Sequence, residues 1–352
     1  MRIKNHFSYL LTLMTIFTVP WVAAQGSYPS QEAKCESNTE VLFVCGVINP
    51  EDLYQIPDTN WVIATGRISD SAGPIYAVNI ESHQVKEIYP HNAALPNFDQ
   101  VTYQECPGPI LTFQPHGVTL RPGAEGGHTL YVVGHGAREA VEVFNLNLDD
   151  GVPTLSWTGC IPAPQGTRRI NSITALPGGY LGATNFDTSG GQLWEWHPSS
   201  DWIEVPGSSM MGPNGLVSSE DGNWFYVGGW SDRALVRVSR GSVPPNVEVI
   251  PVGFNVDNVR WGTDGHIIAA GHITRCPNGE SCDTSAARVA KVDPESFEAS
   301  FTSIQGFVIS ILSLYLSVGF SEKVDAVDEF LDSNEQAMDL EQMREAIAEL
   351  EK

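Results

Sequence analysis

The chain repeats one three-part pattern five times. Each copy begins with polar residues on a short strand, continues into an apolar strand that ends in glycine or another small residue, and finishes with an alternating strand. Consecutive opening positions are separated by about 64, 55, 43 and 43 residues, and short strands recurring about every 40–50 residues are typical of a β-propeller. The sequence therefore predicts an all-β fold with equivalent residues of each repeat around a central channel. The opening residues are Glu51–Asp52, His116, Asn171, Asn214 and Asp257–Asn258.

The second strands are almost entirely apolar, whereas the third strands alternate. A continuous apolar run is typical of a strand covered on both faces, and alternation is typical of a half-exposed strand. The first two repeats also carry longer insertions, at 81–110 and 121–128. Such insertions serve either as a lid over a binding site or as surface decoration, and the sequence leaves both open. The predicted second strands are 61–66, 130–136, 180–185, 224–229 and 266–272, and the third strands are 75–80, 141–146, 193–198, 235–240 and 289–294.

The first 24 residues have the pattern of a secretory signal peptide. A basic start precedes an apolar core of about 14 residues, and Val22, Ala23 and Ala24 form a small-residue cleavage site. This core is short for a membrane span, although an uncleaved N-terminal anchor is the alternative. The sequence predicts a secreted or periplasmic protein after cleavage near Ala24.

The repeat pattern covers residues 25–300, and no sixth copy is visible beyond it. Residues 301–320 are apolar but too few for a membrane span. We expect a buried strand or helix that partly completes a sixth blade, and the alternative is that the chain is altered there and the ring is incomplete. Residues 321–352 are acidic, and their apolar side chains fall mainly at three- and four-residue steps, which predicts an amphipathic helix outside the propeller.

Charge and cysteine content narrow the partners and the compartment. The net charge of −23 argues against binding to nucleic acid or an anionic membrane. Six cysteines in an exported chain indicate disulfides. Cys276 and Cys282 flank a turn-rich segment and form the first predicted pair, and Cys35–Cys45 and Cys106–Cys160 follow by proximity and elimination. No zinc-site spacing of Cys and His is present.

The opening residues would surround the channel with oxygen donors. Ca²⁺ takes six to eight oxygens from carboxylates, amide carbonyls and water. Glu51 and Asp257 would neutralise the ion, and Asn171, Asn214 and Asn258 would add three neutral oxygens, leaving positions for water and a substrate oxygen. Taken singly, each residue has an alternative role, because Asn and Asp at strand ends often satisfy only backbone groups.

Three histidines form a second candidate group. His116 opens a first strand and His135 ends the next one, so both lie at the same end of their repeat. A pair of histidines provides an assisted general base, in which one ring orients the other, although both could equally be structural. His272 has the position of His135 in the fifth repeat and is predicted to line the pocket wall.

Several motifs resemble the paraoxonase and gluconolactonase group of calcium-dependent six-bladed propellers, and the paraoxonases most. They are NPEDLYQIP, FQPHGVTL, LYVVGHG, RINSITALPGG, PNGLVSSEDG and VDNVRWGTDG, within residues 46–295. The resemblance implies that the five acidic and amide openers bind a catalytic calcium, and that His116 and His135 form a catalytic dyad. It also implies a second, structural calcium bound by Asp52 and the Val118 carbonyl. Ser172 replaces an Asp of that second site.

Together these features predict an exported, calcium-dependent hydrolase of small-molecule lactones or aryl esters. One alternative is a calcium-binding propeller without turnover that acts as a ligand- or protein-binding module. Another is strictosidine-synthase-like chemistry on the same scaffold, which would not need the calcium ligands present here.

Overall fold

The computed structural model describes residues 43–68, 73–110, 113–123, 127–273 and 286–302. Within these ranges the chain forms twenty β-strands and one short 3₁₀ turn at Pro177–Gly179. The strands form five four-stranded antiparallel sheets, each built from four consecutive strands. The fold is therefore all-β, in a five-bladed propeller arrangement.

The strands follow in chain order, four to a sheet. The first sheet contains β1 (Pro50–Gln55), β2 (Trp61–Gly66), β3 (Ile75–Asn79) and β4 (Val85–Tyr89). The second contains β5 (Gln114–Arg121), β6 (His128–His135), β7 (Ala140–Asp149) and β8 (Val152–Pro162). The third contains β9 (Ile170–Ala175), β10 (Leu181–Asn185), β11 (Gln192–His197) and β12 (Asp201–Glu204). The fourth contains β13 (Pro213–Ser218), β14 (Trp224–Gly229), β15 (Ala234–Ser239) and β16 (Val247–Pro251), and the fifth β17 (Asn255–Trp261), β18 (Ile267–Ile273), β19 (Ala286–Val292) and β20 (Ala299–Thr302).

Short turns connect these strands as hairpins. Between β7 and β8, for example, Asp150 and Gly151 both have positive φ, 51° and 77°. Two such residues form a type I′ turn, whose twist matches that of the flanking antiparallel strands. The predicted second and third strands of every repeat are confirmed within a few residues, and each sheet adds a fourth strand on its outer side.

The first strand of each sheet is the innermost. β1 lies beside β5, β5 beside β9, β9 beside β13 and β13 beside β17. The fifth sheet also contacts the first, because Asn258 Nδ2 donates to the Glu51 carbonyl at 2.9 Å and Arg260 Nε donates to the Leu53 carbonyl at 2.9 Å. The predicted sixth blade in 301–320 and the helix in 321–352 lie outside the described residues, apart from the end of β20.

The second strands are the best-buried part of the fold. Every residue of β2 is buried, and Phe144 and Trp157 of the second sheet are also almost fully buried. Burying one large apolar side chain stabilises a fold by about 1.5–3 kcal/mol. Packing between sheets, supported by β-branched and aromatic side chains, therefore fixes the positions of the inner strands.

In the predicted insertion at 81–110, residues 85–89 form β4 of the first sheet, and residues 94–106 lie along the edge of the second sheet. The backbone amides of Ala94, Asn97 and Asp99 donate to carbonyls of β8 at 2.8 Å, and a disulfide joins Cys106 to Cys160 of β8. This segment covers a strand edge that would otherwise be unpaired. Residues 94–106 therefore protect the edge of the second sheet.

The Cys106–Cys160 prediction is confirmed, and Cys45 is also disulfide-bonded. Its predicted partner Cys35, the predicted pair Cys276–Cys282 and the predicted signal peptide lie outside the described residues. In the ranges that the structure covers, no helix is long and apolar enough to cross a membrane.

Candidate functional site

Each innermost strand carries a β-bulge at the predicted opening residue. In β1, Pro50 pairs with Gly66 and Asp52 with Thr65, so Glu51 has no partner in the ladder. A bulge of this kind adds one residue to a strand and redirects a side chain, and bulges are common near active sites. The opening residues of the five repeats therefore occupy equivalent positions in the five sheets. The other bulges fall at His116–Gly117, Asn171–Ser172, Asn214–Gly215 and Asp257.

Two glycines beside these residues let neighbouring inner strands approach closely. A Cβ atom on Gly117 would lie 2.4 Å from the Asn171 carbonyl oxygen, and one on Gly215 would lie 2.5 Å from the Asp257 carbonyl oxygen. Any side chain at either position would force the strands apart. The Pro-His-Gly and Pro-Asn-Gly motifs therefore bring successive opening residues together.

Glu51 and Asp257 form the acidic part of the site. Burial raises the pKa of Glu51 to about 7. Burial and then the negative charge of Glu51 raise the pKa of Asp257, also to about 7. Asn214 Nδ2 donates to Asp257 Oδ1 at 2.9 Å. Two buried carboxylates that disfavour each other's ionisation are a strong electrostatic attractor for a cation.

Two acceptor oxygens of this site lack a hydrogen-bond donor among the described residues: Glu51 Oε2 and Asn214 Oδ1, both fully buried. Buried acceptors without a donor are costly, and a bound cation satisfies them. Asn171 and Asn258 are buried on the neighbouring inner strands. The predicted calcium ligands therefore fit a hard cation.

The chemistry of the donor set narrows the metal further. Across the ranges that the structure covers, no three His, Cys, Asp or Glu side chains converge on one point. The site depends instead on amide oxygens beside two carboxylates, and these are donors that Ca²⁺ accepts readily.

Asp52 and Val118, predicted to bind a second calcium, are joined by an arginine. The guanidinium of Arg260 forms an ion pair with Asp52 Oδ2 and donates to the Val118 carbonyl at 3.0 Å. The Val118 amide donates to the same Asp52 oxygen at 2.8 Å. A protein cation thus lies between the two groups assigned to the structural ion. The Ser172 hydroxyl accepts a hydrogen bond from the Leu216 amide at 3.1 Å and so links the third sheet to the fourth.

The structure brings the predicted histidine pair together. The rings of His116 and His135 have centroids 5.0 Å apart and an interplanar angle of 58°. His116 Nε2 lies 2.6 Å from Glu51 Oε1, so the pair contacts the candidate metal centre directly. Burial, followed by the nearby Arg67, lowers the pKa of His116 to about 3. This ring is therefore neutral at physiological pH, with a free lone pair.

Sequence reasoning missed a carboxylate that positions His135. Glu139 Oε2 lies 2.7 Å from His135 Nδ1, and Glu139 Oε1 accepts the Ile170 amide at 2.7 Å. The carboxylate is thus fixed to the next sheet and in turn fixes one ring nitrogen. The only hint in the sequence was that Glu139 follows His135 by four residues. Glu139 lies in the connection between β6 and β7, however, and in a connection the spacing does not show which way a side chain points.

Sequence reasoning also missed two arginines beside the histidines. Arg67 Nη1 lies 3.3 Å from His116 Nε2, and Arg169 Nε lies 3.4 Å from His135 Nε2. Arg67 and His135 occupy equivalent positions in the first and second sheets. Each directly follows a second-strand glycine, Gly66 or Gly134, that pairs with a proline of the innermost strand, Pro50 or Pro115. Comparison of the repeats could therefore have placed Arg67 beside the site, as it placed His135.

His272, which was predicted to line the pocket wall, has the same phase in the fifth sheet. Its ring lies against Trp230 at a centroid distance of 4.8 Å, and Trp230 lies 6.4 Å from Phe186. Burial lowers the pKa of His272. These three rings form an aromatic wall at the end of the sheets that carries the opening residues.

No protein-family model matches the chain, and no curated protein matches it by sequence. Among solved structures, a chain of a nidogen/laminin complex is 12% identical, with a TM-score of 0.50, over 73% of this chain and 81% of its own length. A luciferin-regenerating enzyme is 13% identical, with a TM-score of 0.46, over 74% and 78%. Regucalcin, a calcium-binding protein from Agrobacterium tumefaciens, is 12% identical, with a TM-score of 0.44, over 74% and 76%. At 12% identity, the likeness to the chain of the nidogen/laminin complex shows a similar fold and nothing about function.

Proposed function

We propose that this protein is an exported, calcium-dependent hydrolase of lactones or aryl esters. The observation that carries the proposal is a pair of buried oxygens that have no donor among the described residues, Glu51 Oε2 and Asn214 Oδ1, beside the Asp257 carboxylate. A neutral histidine, His116, is bonded to the same Glu51. A cation site in contact with a candidate base is the minimum equipment for hydrolysis of an activated carbonyl.

Glu51 and Asp257 would supply the negative charge for calcium, and Asn171, Asn214 and Asn258 would supply amide oxygens. A bound calcium would act as a Lewis acid toward the substrate carbonyl. Before binding, the same residues hold two carboxylates in a buried space, which explains why both pKa values are raised. The ligands are distributed over the first, third, fourth and fifth sheets, so the propeller keeps them in place.

His116 is the proposed general base. With a proton on Nε2 donated to Glu51, the opposite nitrogen Nδ1 is unprotonated, and it has no partner among the described residues. Nδ1 is itself buried, so in this proposal the attacking water enters the site to reach it and gives up its proton there. Glu139 holds Nδ1 of His135, so His135 presents one fixed tautomer to the neighbouring ring. A positioned base of this type contributes about 10²–10⁴-fold to rate.

The disulfide chemistry supports export. Cys45, Cys106 and Cys160 are all disulfide-bonded, and such bonds persist mainly in oxidising compartments. Extracellular calcium modules work with dissociation constants of about 10⁻⁴–10⁻³ M. A site with only two carboxylates would therefore be occupied outside the cell.

Residues 25–352 should be purified and assayed on a panel of lactones and aryl esters, with calcium and with a chelator. We expect turnover that requires calcium and is lost in Asp257→Asn. Asp150→Asn is the matched control, because Asp150 is exposed in a hairpin turn whose positive φ suits asparagine. Calcium binding without turnover of any substrate would contradict the proposal and favour the binding-module alternative.

A further inference from the structure

Two arginines flank the histidine pair without a carboxylate partner. Five of the ten arginines in the described residues pair with acids, as Arg138 does with Glu142 and Arg240 with Glu195. In the described part of the chain, Arg67 and Arg169 form no such ion pair. Their guanidinium groups instead lie 3.3 Å from His116 and 3.4 Å from His135. Arg67 Nε is buried and has no hydrogen-bond partner among the described residues, so part of its donor capacity is unused.

The two guanidinium groups also affect each other. Burial, and then the positive charge of Arg67, lower the pKa of Arg169. Like charges placed close together in a partly buried site need an anion to offset them. Arg67 and Arg169 favour the ionised form of Glu51, but a calcium ion at Glu51 and Asp257 would take over that neutralisation. The loaded site would then hold two guanidinium charges, with Glu139, which is bonded to His135 and the Ile170 amide, as the remaining carboxylate that favours the charged form of Arg169.

An aromatic wall adjoins this cationic pair. Phe186 and Trp230 are partly exposed, and the Phe186 amide donates to the Arg169 carbonyl at 2.8 Å. His272 continues the wall through its edge contact with Trp230. Aromatic faces bind apolar groups, whereas planar guanidinium groups bind oxyanions through paired hydrogen bonds. The two guanidinium groups therefore lie on one side of the site, and an aromatic side begins at Phe186, which is bonded to the backbone of Arg169.

We propose that Arg67 and Arg169 bind an anionic group of the substrate, and that Phe186, Trp230 and His272 contact its apolar part. The substrate class is then an ester or lactone that carries a carboxylate or phosphate and an apolar substituent. This inference rests on the proposed function for the reaction, but the anion site itself does not depend on turnover.

The test measures binding by calorimetry on the full mature chain, with calcium present. The probes are benzoate and phenyl phosphate, which share an aromatic ring, and the neutral benzamide as their control. We expect at least one anion to bind about tenfold or more tightly than benzamide, since charge-assisted hydrogen bonds are the strong ones. The preferred probe then distinguishes a carboxylate site from a phosphate site.

Arg67→Gln and Arg169→Gln should each weaken binding of the anionic probe about tenfold and leave benzamide unchanged. Arg168→Gln is the matched control, because Arg168 is the neighbour of Arg169, is exposed, and pairs with Asp187 instead. If the glutamine variants fold poorly, Arg67→Lys and Arg169→Lys serve instead: they keep the charge but not the paired hydrogen bonds, and should keep only part of the affinity. Equal binding of anions and benzamide, no binding of any probe, or equal losses in Arg168→Gln would overturn the proposal.

Kinetics separate this proposal from the proposed function. With matched esters that differ by one carboxylate, the glutamine variants should raise KM for the anionic ester and leave KM for the neutral ester nearly unchanged. Anion binding without hydrolysis of any ester would sustain the anion site and refute the hydrolase. Hydrolysis that ignores substrate charge would refute the anion site and sustain the hydrolase.

Discussion

Replacing Glu51 by glutamine should stabilise the calcium-free protein at alkaline pH and remove its stabilisation by calcium. The substitution keeps the shape of the side chain, so the amide oxygen of the new glutamine can still accept a hydrogen bond from His116 Nε2. The substitution removes one of the two buried carboxylates, Glu51 and Asp257, that are proposed to bind calcium. The same change should therefore have opposite effects on stability in the absence and presence of metal.

The pKa values give the size and the sign of the effect. Glu51 has a pKa of about 7 in the folded, calcium-free chain, against an ordinary value of 4.5. Between these values the folded state holds a proton that the unfolded state has lost, so the free energy of unfolding falls as pH rises. A tenfold change in proton affinity is worth about 1.4 kcal/mol, so the full loss is about 3 kcal/mol above pH 7. Below pH 4.5 this contribution is fully present.

Chemical denaturation at pH 5 and pH 8, each with calcium and with a chelator, measures these quantities. At pH 8 with chelator, Glu51→Gln should be more stable than the unaltered protein by up to about 3 kcal/mol. Calcium at a hundred times its Kd should stabilise the unaltered protein by about 2.7 kcal/mol and the variant hardly at all. Glu220→Gln, at an exposed position, is the control. A calcium-free Glu51→Gln protein that is less stable at pH 8, or one that keeps the calcium response, would refute this reasoning.

Other residues give further expectations. His116→Gln should keep calcium-induced stabilisation but lose about 10²-fold or more in ester turnover; activity within a few-fold would assign the base elsewhere. Glu139→Gln should lower turnover and change its pH profile, and Glu139→Asp should restore part of both; equal defects would indicate a packing role. Calorimetry should find one calcium ion per chain, because Arg260 already binds Asp52 and the Val118 carbonyl, the predicted ligands of the second ion. Two equivalent ions would contradict this. Reducing Cys106–Cys160, 54 residues apart, should cost about 4 kcal/mol by loop entropy, seen as a lower Tm; an unchanged Tm would contradict this.

The sequence was sufficient for features that repeat. Glu51, His116, Asn171, Asn214 and Asp257 stand at one phase of a pattern, and the structure places each at a bulge of an innermost strand. The second strands were recognisable because burial on both faces leaves a continuous apolar run. The outer strands were not, since short exposed segments such as β12 carry no pattern that distinguishes them from loops.

The unrepeated parts of the site could not be predicted. Arg67, Glu139 and Arg169 lie at strand ends or in connections, where the direction of a side chain depends on the turn and on the neighbouring sheet. In the sequence, Arg260 stands between the apolar residues Val259 and Trp261, two positions after the predicted calcium ligand Asn258. Only the fold shows that it points to Asp52, which is 208 residues away. Local periodicity holds no information about such pairs.

The clasp formed by Arg260 also has a consequence for the order of assembly. Its partners Asp52, Leu53 and Val118 are 208, 207 and 142 residues earlier in the chain, so the first and second sheets are synthesised long before it. Domains acquire structure from the N-terminus as the chain emerges, but Arg260, the cation that pairs with Asp52 in the described structure, arrives only with the fifth sheet. We expect the Val118 amide, which donates to Asp52, to gain protection from hydrogen exchange together with β17 and later than the rest of β5. Pulse-labelling during refolding would show this, and protection of Val118 in step with its own sheet would disprove it. The contacts of Asp52 at the centre of the propeller then become native only after β17 has formed, late in the chain.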